Sequence, residues 1–363
     1  MAPPARAPGA PRDRARGCVR RGGERRRRIT RESLGRIPAS GGALSESRSE
    51  RTGCSSQRSP GRRPVLSIVD SHLHLVTAGM FRRLRERAWP MRPRALAAFT
   101  GESGRWAERL RSLEGVTLEQ QADEWITAFD RAGVRTGFFI AIGEGNEELS
   151  AFVHLHPWRF QAWGSVMDPT APDAAATVRR FREWGLRGLK LYPPTQRFSA
   201  GDRAVYPLYE AAAEQGLAVL FHFGITVAPF YDLQYANPLH LSAAAKDFPE
   251  ITFAIAHCGA GFLRETLFLA YHTDNIWVDT SGTNNWRDYT PGAPPLAEVF
   301  RDLLRTYGPR RIMFGTDSTL PHEYREAILN DQRATFDRLV TTPEDGAAIF
   351  GGNARRLFGL PDP

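Results

Sequence analysis

The chain has 363 residues, 42% of them hydrophobic and 24% charged, with a formal net charge of +8. This composition excludes fibrous and peptide-sized proteins, and it leaves room for two average domains or one large barrel. No run of about 18 uncharged apolar residues occurs, so no transmembrane helix is expected.

The charge is unevenly placed. Residues 1–63 hold 17 Arg, no Lys and five acids, a net of +12, which leaves −4 for residues 64–363. Rich in Arg, Gly, Ser and Pro, the segment 1–63 is expected to be a disordered basic tail, or the product of a start codon placed too far upstream. It lacks the apolar core of a secretory signal. Arg-rich segments neutralise phosphates without sequence preference, but residues 1–63 contain no Phe, Trp or Tyr on which bases could stack, so a nucleic-acid partner is not expected. Cys18, Cys54 and Cys258 cannot form a disulfide framework for so long a body, which fits a reducing, cytoplasmic setting. Of the 48 basic residues only Lys190 and Lys246 are lysines.

From Pro64 on, apolar, β-branched or aromatic runs alternate with helical stretches. Strand 1 is expected over Val65–Asp70, followed by Ser71-His72-Leu73-His74 and by residues 75–116, long enough for a lid-like insertion of helical pieces over the mouth. Helix Leu118–Ala132, stopped by Gly133, leads to strand 2, Thr136–Ile142, and then to strand 3, Phe160–Val166. Helix Asp173–Trp184, stopped by Gly185, precedes strand 4, Gly188–Tyr192. Helix Pro207–Gln215, stopped by Gly216, precedes strand 5, Ala218–Phe223. Helix Pro238–Phe248, strand 6 (Thr252–His257), helix Phe262–His272, strand 7 (Ile276–Asp279), helix Pro295–Tyr307 and strand 8 (Arg311–Gly315) complete the series. Eight largely apolar strands, each followed by a helix, predict an α/β fold, a (β/α)8 TIM barrel over 64–363. The alternative, a doubly wound open sheet, lacks its Gly-rich fingerprint after strand 1.

A barrel's active site lies where its strands end. Strand 1 ends toward His72 and His74, strand 4 at Lys190, strand 5 at His222, strand 6 at His257 and strand 8 at Asp317. Residues two apart on a strand point to one side, so His72 and His74 can reach a single ion. Imidazoles with a carboxylate suit Zn2+, Mn2+ or Fe2+. His154-Leu155-His156 has the same spelling but falls in a helical stretch, where positions two apart diverge, and is read as surface or packing.

These motifs, together with Gly188-Leu-Lys190-Leu-Tyr192, Phe221-His222-Phe223-Gly224, Ala256-His257-Cys258-Gly259, Phe314-Gly315-Thr316-Asp317 and the closing Ile349-Phe350-Gly351-Gly352-Asn353-Ala354-Arg355-Arg356-Leu357-Phe358, resemble the amidohydrolase superfamily, in particular the aminocarboxymuconate-semialdehyde decarboxylase type. The resemblance implies that His72, His74, His222 and Asp317 ligate a divalent metal, most simply one Zn2+, with His257 beside it as acid/base or electrophilic residue. In binuclear members a strand 4 lysine is carboxylated and bridges two metals, so Lys190 sets up a second expectation of two ions with His257 a ligand. Asp317 would also shuttle the proton of an activated water. The expected activity is hydrolysis of a small ring-containing or carboxylated metabolite, with non-oxidative decarboxylation by the same residues as the alternative. A metal-free barrel, as in some lactonases of the family, is a further option. Tyr192, Trp286 and Arg287 are the candidate substrate contacts, the guanidinium suiting a carboxylate. The resemblance also implies a homodimer or a higher oligomer.

Overall fold

A computed structural model describes residues 67–86, 105–143, 145–226, 231–340 and 342–361. The tail 1–63 and residues 87–104 of the expected insertion lie outside the described residues. Eight strands are present: β1 (Ile68–Leu75), β2 (Val134–Ala141), β3 (Phe160–Ser165), β4 (Gly188–Leu191), β5 (Ala218–Phe221), β6 (Phe253–Ile255), β7 (Ile276–Asp279) and β8 (Ile312–Met313). Each pairs in parallel with the next in chain order. The ring is closed by the chain around β8 returning to β1. The Ser71 N–H and hydroxyl both donate to the Phe314 carbonyl, at 2.9 and 2.7 Å, and the Asp317 N–H donates to His72 O at 2.9 Å. The structure is therefore a (β/α)8 barrel rather than an open sheet.

Side chains alternate across each strand, and this sorts the apolar residues into two layers. Val69, Phe138, Ile140, Trp163, Ala218, Leu220, Ala254, Ala256 and Met313 fill the barrel interior. Phe358, from the C-terminal helix Asn353–Phe358, plugs this layer, with its ring 4.3 Å from Phe138 and 5.1 Å from Trp163. The outer layer sets Phe139, Leu189, Leu191, Val219, Phe221, Phe253 and Ile255 against helical residues such as Trp125, Phe129 and Tyr209. Since Leu189 and Leu191 face outward, Lys190 between them faces in. His222, two beyond Leu220, follows the inward row of β5.

Local signals explain the helices. The helix Leu118–Ala132 begins at a Thr117/Gln120 capping box and ends at Gly133, whose φ of 71° favours glycine. The segment expected over Pro238–Phe248 starts as a single 3-10 turn, Pro238–Leu241, capped by the Asn237 side chain, before the helix Ser242–Asp247. Between 75 and 116, the helices Ala78–Glu86 and Arg105–Leu113 are in place. Val76, Phe81 and Leu113 pack with Leu320, and Arg109 donates to Thr319 Oγ1 at 2.7 Å, which sets both helices beside the chain leaving β8. Among the described residues no helix is long and apolar enough to cross a membrane.

Candidate active site

The site forms at the C-terminal ends of the strands. β1 runs past Asp70, where it was expected to stop, and its pairing with β2 shifts register between Asp70 and Leu73. Val69 faces the barrel interior and Leu73 the helices, so the shift reverses the alternation and turns His72 and His74 inward. Their Nε2 atoms lie 3.8 and 3.2 Å from Asp317 Oδ1. Behind them the buried Asp70 carboxylate, which burial raises to about 7, accepts bonds from Thr316 Oγ1, Thr316 N, His72 N and Tyr324 OH, and so fastens β1 to the chain after β8. Asp317 adopts a left-handed backbone at φ 58°. Its second oxygen, Oδ2, accepts from Arg325 Nη1 at 3.3 Å.

Lys190 is fully buried; its Nζ has no hydrogen-bond partner and lies 4.8 Å from the Tyr192 ring centre. The His222 ring stacks on Tyr192 at 5.9 Å, and His222 Nδ1 faces His257 Nε2 at 3.1 Å. His257 reaches this point by an unexpected route. Alternation along β6 puts Ala254 and Ala256 inside, which would send His257 outward, but the chain turns left-handed there, with φ 57° at His257 and 52° at Cys258. Left-handed backbone costs a non-glycine residue about 1–2 kcal/mol, and such strain persists where surrounding contacts hold it.

Those contacts come from β7, which sequence reasoning left without a functional role. Asp279 ends β7, and since the other site residues were read from the ends of their strands, that position was the available signal. Its Oδ2 lies 2.8 Å from His72 Nδ1, while its Oδ1 accepts from the N–H groups of His257 and Ser281, both at 3.0 Å. Ser281 Oγ donates to the same Oδ1 and lies 3.0 Å from His72 Nδ1, and the Ser281 carbonyl is 2.9 Å from His257 Nδ1. Gly282, at φ 65°, backs onto His257, where a Cβ would come within 2.8 Å of Nδ1.

Among the described residues two groups could hold a cation: His72, His74 and Asp317, and His72, His257 and Asp279. Of the four ligands expected, the structure thus gathers three closely, while the nearest partner of His222 is His257. Burial lowers His72 to about 3 and holds His222 and His257 below the usual imidazole range, which favours the neutral ring in all three. Burial also brings Lys190 down to about 7, outweighing the attraction of Asp279 and Asp317. For the two aspartates burial acts to raise the carboxyl, but hydrogen bonds and nearby imidazoles overcome it and keep both ionised. Neutral imidazoles beside carboxylates are the forms in which these side chains ligate metals. His72 Nε2, Lys190 Nζ and His222 Nε2 are buried without a hydrogen-bond partner, and a buried polar atom is rarely left so. A divalent cation therefore fits this donor set.

Of the substrate candidates, Tyr192 sits in the cluster. Trp286 is buried, and Arg287 bonds the carbonyls of Asn284 and Pro294 within its own loop. His154 lies on the helix Asn146–Leu155 and bonds Ser150 O, away from the site.

Comparison with known proteins agrees with this architecture. No curated protein matches the chain in sequence. Among solved structures, 5-carboxyvanillate decarboxylase from Sphingomonas paucimobilis superposes with a TM-score of 0.58 at 16% identity, over 82% of this chain and 100% of that one. A 5-carboxyvanillate decarboxylase from Novosphingobium aromaticivorans, complexed with manganese and 4-hydroxy-3-methoxy-5-nitrobenzoic acid, gives 0.59 at 15% identity, over 84% and 98%. A Pseudomonas putida structure, named for a proposed 2-pyrone-4,6-dicarboxylic acid hydrolase activity, gives 0.54 at 20% identity, over 82% and 99%. At these identities the likeness is one of fold. The family model described as Amidohydrolase matches residues 69–360, nearly all of the barrel and every site residue above, and the chain belongs to the amidohydrolase family.

Proposed function

We propose that this protein is a metal-dependent hydrolase of a small, ring-containing or carboxylated molecule. The observation that carries the reading is the cluster of His72, His74 and Asp317, in which the two Nε2 atoms lie 3.8 and 3.2 Å from Asp317 Oδ1 and His72 Nε2 is buried without a hydrogen-bond partner. His72, His74 and Asp317 would hold one ion, with His222 as the fourth ligand, and Zn2+, Mn2+ and Fe2+ all suit this set. When bound, such an ion supplies Lewis acidity and eases proton loss from water near neutral pH.

The chain's own residues then divide the remaining work. Asp317 accepts the water proton and returns it to the leaving group, so that a C–O bond forms as the bond to the leaving group breaks. His257, 3.1 Å from His222 and held by Ser281, is placed to stabilise charge developing on the substrate oxygen. Tyr192 offers an aromatic face at the cluster.

Two observations favour neighbouring readings. His222 Nδ1 and His257 Nε2 lie 3.1 Å apart, a spacing at which both would hold one ion, and this favours a reading in which His222, His257 and a carboxylated Lys190 would hold a second metal. The solved relatives named as decarboxylases of carboxylated aromatic acids favour decarboxylation. Incubation in 18O-water with a panel of aromatic acids and of their lactones, esters and amides tests the main reading. Hydrolysis places one 18O in the acid product; CO2 release with no 18O incorporation overturns it in favour of the decarboxylase.

A further inference from the structure

Resting on the metal reading above, we infer that Asp279 is a positioning residue that fixes the ring orientation and tautomer of His72 and holds His257 in its left-handed turn, so that both rings present Nε2 to the site. An ionised carboxylate can only accept hydrogen bonds. With Asp279 Oδ2 2.8 Å from His72 Nδ1, the His72 proton sits on Nδ1 and the Nε2 lone pair is left bare. His72 Nε2 is the buried atom that has no partner and lies 3.8 Å from Asp317 Oδ1. The other carboxylate oxygen, Oδ1, accepts the backbone N–H of His257 and both the N–H and hydroxyl of Ser281. Ser281 in turn presents its carbonyl to His257 Nδ1 at 2.9 Å, which places the His257 proton on Nδ1 and leaves the Nε2 lone pair facing His222 Nδ1 at 3.1 Å. One carboxylate therefore governs two imidazoles that arrive from different strands. It also anchors the turn that re-aims His257 against the alternation of β6. Carboxylates that hold the far nitrogen of a metal-binding histidine act in this way in metal sites generally, and their loss costs about 10–100-fold in metal affinity.

The two oxygens have distinct duties, which makes Asp279→Asn informative. Three donors converge on Oδ1, so the asparagine carbonyl takes that place and the amide NH2 turns toward His72 Nδ1. An amide donates from nitrogen, so His72 must accept at Nδ1 and carry its proton on Nε2, the atom meant for the metal. The strained turn keeps its acceptor, and the variant is expected to fold. The test combines two measurements on full-length protein stripped of metal. Long-range 1H–15N spectra of histidine-labelled protein give the His72 tautomer, and competition with a chromophoric chelator gives the Zn2+ dissociation constant. Wild type is expected to show the Nδ1–H tautomer of His72, and Asp279→Asn the Nε2–H tautomer with Zn2+ bound about 10–100-fold more weakly. An Nε2–H tautomer in the wild type, or a Zn2+ affinity in the variant within twofold of wild type, overturns the inference. If the variant fails to fold, the wild-type tautomer still decides it. Absence of Zn2+ binding by wild type overturns the metal reading instead, and the tautomer, which needs no metal, separates the two failures.

Discussion

Replacing Lys190 by Met should stabilise the metal-free protein. The ammonium is fully buried, and its pKa falls from an ordinary 10.5 to about 7. Because the folded-state value is depressed, the unfolded chain binds more protons than the folded one between pH 7 and 10.5. Stability must therefore rise with pH across that window, and the penalty is fully present below about pH 7. Every tenfold weakening of proton binding is worth about 1.36 kcal/mol, so Lys190 costs the native state roughly 4 kcal/mol at pH 7. Methionine is similar in length and apolar, and substituting a buried charge by such a residue is often stabilising by about 1–4 kcal/mol. Urea unfolding of chelator-treated wild type and Lys190→Met at pH 7, 8.5 and 10 measures this, and the difference between the two proteins removes the titration of every other group. The variant should be more stable by a few kcal/mol at pH 7, with the gap closing toward pH 10. A variant less stable than wild type at pH 7, or a gap that does not change with pH, would refute the reasoning.

Other consequences are as direct. Gly282→Ala introduces a Cβ 2.8 Å from His257 Nδ1 at a φ of 65°, so it should cost about 1–2 kcal/mol from the backbone alone and lower activity further by displacing the ring, as unfolding and rate measurements would show. Tyr324→Phe removes a donor 3.1 Å from the buried Asp70 carboxylate and should destabilise by about 1.5–3 kcal/mol in urea unfolding. Burial pushes the Cys258 thiol far above its usual range, so peptide mapping after alkylation at pH 8 should find Cys258 unmodified in native protein and modified after unfolding. Deleting residues 1–63 should leave circular dichroism, metal content and turnover unchanged; an insoluble or inactive product would contradict the division at residue 64.

What the sequence revealed, and what it hid, follows strand geometry. Lys190 lies on β4 and His222 directly follows β5, and the apolar neighbours on those strands fix which way they point, so period-two alternation locates them. Helix Leu118–Ala132 was legible to the residue because its capping box and terminal glycine are local chemistry. His257 and Asp317 were recognisable as strand-end residues, but the left-handed backbone that brings them inward depends on bonds to chain segments far away in sequence. The end of β1 was misjudged because a register shift, invisible in the order of residues, carries the strand through both histidines. Asp279 closed its predicted strand, yet a single carboxylate there has no pattern of its own. Its role emerges only when His72, 207 residues earlier, is folded against it.

Central to the proposed function is a divalent metal held by the buried, unpartnered donors around Asp317. Metal content of full-length protein purified without chelators, measured by inductively coupled plasma mass spectrometry alongside turnover, tests it most directly. At least one equivalent of Zn2+, Mn2+ or Fe2+ per chain is expected, lost on chelation together with activity and restored by the same metal. Content well below one equivalent with full, chelator-resistant turnover would contradict it.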